Sequence, residues 1–265
     1  MTQNASRTIL GIMSAMQEEL SSLQASLDNS RETRVGDRTF IEGQLSGIDV
    51  VLVFSRWGKV ASSITATTLI TYFNVSHILF TGVAGAVDER LNIGDIVIGD
   101  KCFQHDLDPS PLFPKHTIPL TDKKFVFCSS EWVYVAKNIA QSFASNISQI
   151  IDVNTLMSFG ITSPKAHVGI IASGDQFVSS VKQTRTISKE TPGTLAVEME
   201  GAAVAQVCEE NDVPFVIFRV ISDKANHKSH IDFIAFIQEI AAQYSLHLVT
   251  SLIKTKLLSF NTQCF

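Results

Sequence analysis

The stretch Leu195-Ala196-Val197-Glu198-Met199, running on through Glu200-Gly201-Ala202-Ala203-Val204-Ala205 to Glu210, decides the fold class. Its first residues form a short apolar run that predicts a buried strand. The small and apolar residues after Glu200 recur at helical spacing and predict a helix over Glu200–Glu210. Similar units flank it. Ala166–Ala172 reads as a strand leading into Ser173-Gly174-Asp175, and Pro214–Ile221 as a strand ending at Ser222-Asp223. Towards the N-terminus, Thr8–Met16 reads as a buried strand and Gln17–Leu27 as a helix. Glu18 and Glu19 sit in its first turn, where carboxylates suit the positive helix end. Arg38–Leu45 and Asp49–Phe54 form a hairpin signal about Ser46-Gly47. Lys59–Phe73, Glu131–Ala144 and Phe233–Leu257 read as helices, Ile78–Thr81 and Ile96–Ile98 as strands. Strands alternating with helices predict one α/β domain with a covered, largely parallel sheet. Residues 1–8 read as a polar tail, Phe103–Asp122 as a Pro-rich loop, and 141–165 as a peripheral insertion.

Composition narrows the function. With 45% hydrophobic and 18% charged residues in 265, the chain is too apolar to be disordered. Lys and Arg number 21 against 26 Asp and Glu, a net charge of −5, with no basic stripe. A nucleic-acid binder would normally show one, so a small-molecule or protein partner is favoured. Cys102, Cys128, Cys208 and Cys264 form no C-x-x-C pair and read as reduced thiols of a cytoplasmic protein. The polar Met1–Thr8 segment does not read as a signal peptide, and no run of about 18 apolar residues predicts a membrane span.

In open α/β sheets the site lies beyond the carboxyl ends of the strands. That rule selects Met16–Glu19, Gly82–Ala86, Gly174–Val178, Glu198–Glu200 and Arg219–Asp223. Glu19, Glu198, Glu200 and Asp223 thus stand at strand ends with Arg219 close by. Carboxylates grouped with one arginine suit acid/base work on a neutral polar substrate. Taken singly, each reads equally well as a helix-start charge or a solvated loop acid.

The order of the motifs carries more. Gly11-Ile12-Met13-Ser14-Ala15-Met16-Gln17-Glu18-Glu19, Thr81-Gly82-Val83-Ala84-Gly85 and Gly94-Asp95-Ile96-Val97 come first. Ser173-Gly174-Asp175-Gln176-Phe177, Val197-Glu198-Met199-Glu200-Gly201-Ala202-Ala203 and Arg219-Val220-Ile221-Ser222-Asp223 follow. Together they resemble the 5′-methylthioadenosine/S-adenosylhomocysteine nucleosidases of the nucleoside phosphorylase/hydrolase superfamily, from Ile9 to Lys256. Extra length between Ala140 and Ala166 is the main interruption.

The resemblance implies a three-layer α/β/α sandwich around a mixed, largely parallel sheet, and hydrolysis of the bond between adenine N9 and ribose C1′. It implies Asp223 as general acid at adenine N7 with Ser222 orienting it, and Glu19 as base for a water that Arg219 helps to hold. Glu200 would accept the ribose hydroxyls, Met199 would pack on the sugar, and Glu198 would be a structural partner. Phe177 would stack on adenine while the backbone of Val178 reads its edge. Met16 and Phe233 would wall an apolar tunnel for the methylthio end. Leu112 or Phe113, from the 103–122 loop, would close the tunnel of the other subunit in a homodimer. The implied enzyme is cytoplasmic, serves methionine salvage, and uses neither metal nor cofactor. His105-Asp106-x-Asp108 accordingly reads as a loop hydrogen-bonding group, and metal binding by His227 and His230 is not expected.

Two departures stand out: Val83 replaces a serine, and Arg56-Trp57 is bulkier and more charged than the family pattern. Three rivals remain: a hydrolase of futalosine or its 6-amino-6-deoxy form, a purine nucleoside phosphorylase, and a non-catalytic nucleoside-binding protein. A phosphorylase needs cations for phosphate, where this chain offers Gln17-Glu18-Glu19; only Arg56 speaks for it. Retention of both Glu19 and Asp223 speaks against binding alone.

Overall fold

The computed structural model describes residues 8–224 and 233–262. Its centre is a parallel set of strands whose carboxyl ends lie together. Strand β1 (Ile9–Ser14) runs into α1 (Gln17–Gln24). The edge hairpin β2 (Asp28–Val35) and β3 (Arg38–Leu45) follows, then β4 (Ile48–Phe54) and α2 (Lys59–Thr71). Next come β5 (His77–Thr81), β6 (Val83–Ala86), β7 (Ile96–Gln104), β8 (Val126–Phe127) and α3 (Ser130–Ser145). After the short α4 (Val153–Ser158) come β9 (Ala166–Ser173), α5 (Val181–Glu190), β10 (Thr194–Glu198) and α6 (Gly201–Glu210). The chain ends with β11 (Phe215–Asp223), a helical turn α7 (Phe233–Phe236), a π-helical turn (Ile237–Ala241) and α8 (Ala242–Thr262).

The sheet order is β2-β3-β4-β1-β5-β11-β6-β10-β9-β7-β8, with β7 also pairing β11. The pairs β4–β1–β5–β11–β6 from β4 to β6, and β10–β9–β7, are parallel; antiparallel pairs join and flank them. Registration of Ser14 with Phe54 and Thr81, and of Glu198 with Ser173, brings these strand ends level. Helices cover both faces. α2 packs on α6, while α1 and α3 pack on α8; α3 and α6 both lie against β7, β9 and β11. A strand covered on both faces needs no polar alternation, and all nine residues of β11 are buried.

The differences from the sequence reading have local causes. β2, DNSRETRV, is almost wholly exposed and lacks an apolar face, so periodicity does not show it. β6 looks like a glycine turn but pairs with both β10 and β11. β7 runs on through Phe103 and Gln104, where a loop was expected to begin. Residues 141–145 complete α3. Beyond them a 3-10 turn (Ile147–Gln149) and α4 bury Ile147, Ile151, Leu156 and Ile161 in the main core, and Asp152 caps α4 by accepting from Thr155 N at 3.0 Å. His227 and His230 lie outside the described residues.

Candidate active site

The strand ends and the helix starts that follow them enclose a cavity of about 570 Å³. Asp223, Ser222, Glu200, Glu198 and Met199 form one part of its wall. Met16, Val83, Phe177, Val178 and Phe233 form another, joined by Trp57, Phe54, Ile234 and Ile237. Most residues singled out from the sequence therefore meet at one place.

Asp223 is the last residue of β11, where the pairing with β6 slips in register after Ile221. Its carboxyl is buried, and Oδ2 accepts from Ser222 Oγ at 2.9 Å. A carboxyl fixed by a neighbouring hydroxyl, with a face on the cavity, can pass a proton to a ring nitrogen seated there.

Glu200 begins α6, two residues beyond the strand-end Glu198. Its Oε1 accepts from the backbone N of Gly58 at 2.9 Å. Gly58 has φ +91°, and a Cβ there would stand 3.0 Å from Asp175 Oδ1, so the approach requires glycine. Burial, and then the nearby charge of Glu198, push Glu200 up to about 8.

Glu198 faces Arg219, with Nη2 and Oε2 2.7 Å apart. Ser173 Oγ donates to the same carboxylate, as do the backbone N of Gly201 at 2.9 Å and of Glu200 at 3.2 Å. Arg219 is fully buried, with Cζ 4.1 Å from the centre of the Phe80 ring. It fits because Gly82 has no side chain: a Cβ there would stand 3.2 Å from the guanidinium carbon. The guanidinium is thus engaged by Glu198, itself a lining residue of the cavity, through Nη2. Its Nε is buried and finds no partner among the described residues.

Glu19 is fully buried in α1, next to Met16, Gln17 and Glu18, which line the cavity. Oε2 accepts from Ser14 Oγ at 2.6 Å and Oε1 from Ser245 Oγ at 2.8 Å. Burial pushes Glu19 up to about 7; the two hydroxyls and Arg219 oppose that rise, and Glu18 adds to it. A carboxyl titrating near neutrality is suited to accept a proton and return it.

The apolar side of the cavity is aromatic. Phe177, half-exposed, meets Phe233 edge-on with ring centres 6.4 Å apart. Val178 is buried beside it, and Met16 and Met199 are half-buried. Trp57 reaches the wall with its Nε1 donating to the Ala15 carbonyl at 3.0 Å. Val83 puts an apolar, methyl-bearing side chain on this wall. Arg56 turns away and donates to the Asp37 carbonyl at 2.5 Å. Leu112 and Phe113 lie off this cavity, and Leu112 is 83% exposed.

Asp106 ties Lys59 Nζ at 2.7 Å and accepts from Asp175 N at 2.8 Å, while His105 packs against Gly174. Among the described residues no group of three or more His, Cys, Asp or Glu is arranged to hold a metal ion. No helix among them is long and apolar enough to cross a membrane.

Sequence reasoning missed Gly58, Trp57, Ser14 and Ser245 as parts of the site. Two had a visible signal: Ser14 closes the otherwise apolar run Ile9–Met13, and Ser245 interrupts the apolar face of the last helix.

Comparison with known proteins gives the family. The phosphorylase superfamily model matches residues 9–254. The 5′-methylthioadenosine/S-adenosylhomocysteine nucleosidase of Staphylococcus haemolyticus is 36% identical over 247 residues, covering 93% of this chain and 99% of its own. The S-adenosylhomocysteine nucleosidase of Streptococcus pyogenes, solved with 5-methylthiotubericidin, superimposes with a TM-score of 0.81 at 31% identity, covering 95% of this chain and 98% of that one. The futalosine hydrolase of Helicobacter pylori superimposes with a TM-score of 0.80 at 32% identity, covering 94% and 98%. The chain belongs to the phosphorylase superfamily and, within it, to the 5′-methylthioadenosine/S-adenosylhomocysteine nucleosidase family.

Proposed function

We propose that the protein hydrolyses the N-glycosidic bond of 5′-methylthioadenosine and S-adenosylhomocysteine, releasing adenine and the thioribose. The observation that carries this reading is the placement of two buried carboxyls, Asp223 and Glu200, on one wall of a largely apolar cavity. Adenine lies on Phe177 with its edge against the Val178 backbone. As C1′–N9 breaks, the bonding pair moves to the base and Asp223, oriented by Ser222, protonates N7. Glu200 receives the ribose hydroxyls and, as an anion, favours the cationic sugar, on which Met199 packs. Water adds to C1′ and its proton passes to Glu19, beside Arg219, whose Nε has a free buried position. Met16 and Phe233 wall the tail of the substrate, with Val83 at the sugar. The Arg219–Glu198 pair holds this frame.

We also read the protein as a cytoplasmic homodimer serving methionine salvage. Supporting a dimer, Trp57, Val60 and Ile64 form an exposed apolar stripe at the start of α2, and Leu112 projects from the 103–122 loop. That loop, through Leu112 or Phe113, would close the cavity of the second subunit.

The test is adenine release from methylthioadenosine in phosphate-free buffer and again with phosphate. Equal rates with free sugar as product establish the hydrolase. Strict phosphate dependence with a sugar 1-phosphate product overturns it. Release from futalosine alone supports the second reading, a hydrolase of the kind the Helicobacter pylori neighbour is named for.

A further inference from the structure

Resting on Glu19 as the base for the attacking water, a further role falls to the two hydroxyls that hold it. Ser14 closes β1, Ser245 lies in α8, and both are fully buried with Glu19 between them. Each serine has a second bonding option. Ser14 Oγ accepts from Met16 N at 3.1 Å and also faces the Met16 carbonyl at 2.8 Å. Ser245 Oγ lies 2.6 Å from Thr81 Oγ1, a pair in which either oxygen can donate.

A hydroxyl has one proton to give and two lone pairs. When Glu19 is an anion, both serines turn their protons to it; Ser14 still accepts from Met16 N and Ser245 accepts from Thr81. When Glu19 carries a proton, it gives that proton to one serine oxygen. Ser14 then turns its own proton to the Met16 carbonyl, or Ser245 turns its own to Thr81. At Ser14 a single rotation keeps the buried groups partnered in both states, whereas at Ser245 the Thr81 hydroxyl must turn as well, so the switch falls to Ser14 while Ser245 keeps donating and the carboxyl has no reason to move.

We infer that Ser14 and Ser245 are positioning residues that hold the Glu19 carboxyl in one place through both of its protonation states, letting it take a proton from the attacking water and release it in each turnover. The charged groups acting on Glu19 are Arg219, from β11, and Glu18, from its own helix. Titratable groups on the other elements packed against α1 face elsewhere. Glu239 of the π-helical turn is exposed, His247 of α8 lies against Phe143, and Asp49 of β4 accepts from Gln44.

The test is the pH profile of kcat/KM for methylthioadenosine in the full chain and in Ser14→Ala and Ser245→Ala, with folding followed by circular dichroism. Each lost hydroxyl removes a bond that favours the anion, so the acid limb moves up by about one pH unit. At pH 6 the loss is about tenfold, and the variants converge on the parent above about pH 9 with KM little changed. An acid limb that stays in place in the folded variants, with or without a uniform fall in rate, overturns the inference. Should Ser14→Ala not fold, Ser14→Cys and Ser245→Ala carry the same reading. Glu19→Gln separates the two levels: near-parental turnover in that variant removes Glu19 as the base, whereas its collapse beside an unmoved limb in the serine variants removes only the clamp.

Discussion

Arg219 and Glu198 form an ion pair 2.7 Å long, in which the arginine side chain has no exposed surface and the glutamate 3%. It joins β11 to β10 at the cavity wall, which Glu198 lines. Removing one member of a buried pair leaves the other charge without compensation, at a cost of about 3–5 kcal/mol. Arg219→Met is expected to lower stability by that amount in urea unfolding. The double variant Arg219→Met/Glu198→Gln should lose less than the sum of the two single changes; strict additivity would show that the charges do not depend on each other.

Asp223→Asn keeps the shape of the side chain and removes the transferable proton. Turnover is expected to fall by about a hundredfold or more with KM little changed, the scale of a lost acid. Steady-state adenine release reads both constants, and turnover within a fewfold of the parent would remove Asp223 from the proton path.

Phe177 meets the cavity with a half-exposed ring and serves the bound base in ground and transition states alike. Phe177→Ala is therefore expected to raise KM by about tenfold with a smaller effect on kcat. A loss confined to kcat would contradict the stacking role.

Stability should fall as pH rises through the neutral range. Glu19 is raised from 4.5 to about 7, so the folded state binds more protons than the unfolded chain between these values. The stabilisation is complete below pH 4.5 and is lost as pH climbs to about 7, by at most about 3 kcal/mol. Glu200, raised to about 8, adds a loss of the same sign. Urea unfolding of Glu19→Gln at pH 5 and pH 8 should show a smaller difference than the parent; an equal difference would mean that Glu19 is not what titrates.

The parts legible in the sequence are those whose burial is local and two-sided. β11 is apolar along its length because helices cover both faces, and its end marks Ser222 and Asp223. Glu200 was legible for the same reason, from the strand before it. The direction of the Glu19 side chain was not, because Ser245 lies 226 residues away in sequence. The Gly58 contact to Glu200 spans 142 residues and is made by a backbone N that any sequence offers. The Glu198 partner of Arg219 was not legible, since it depends on how β10 and β11 come together.

The π-helical turn at Ile237–Ala241 sets the phase of everything after it. A wide turn holds one residue more than an ordinary helical turn, so its removal would rotate the following helix by about 100°. Ile237, the first residue of the turn, lines the cavity; Tyr244, whose hydroxyl donates to the Gly94 carbonyl at 3.1 Å, and Ser245 follow the turn. Ser245 and the cavity wall are therefore aligned by a single extra residue. Relatives that keep a serine at this point in the chain but lack the wide turn would present it to a different neighbour, so that sequence identity at Ser245 carries functional meaning only together with helix phase.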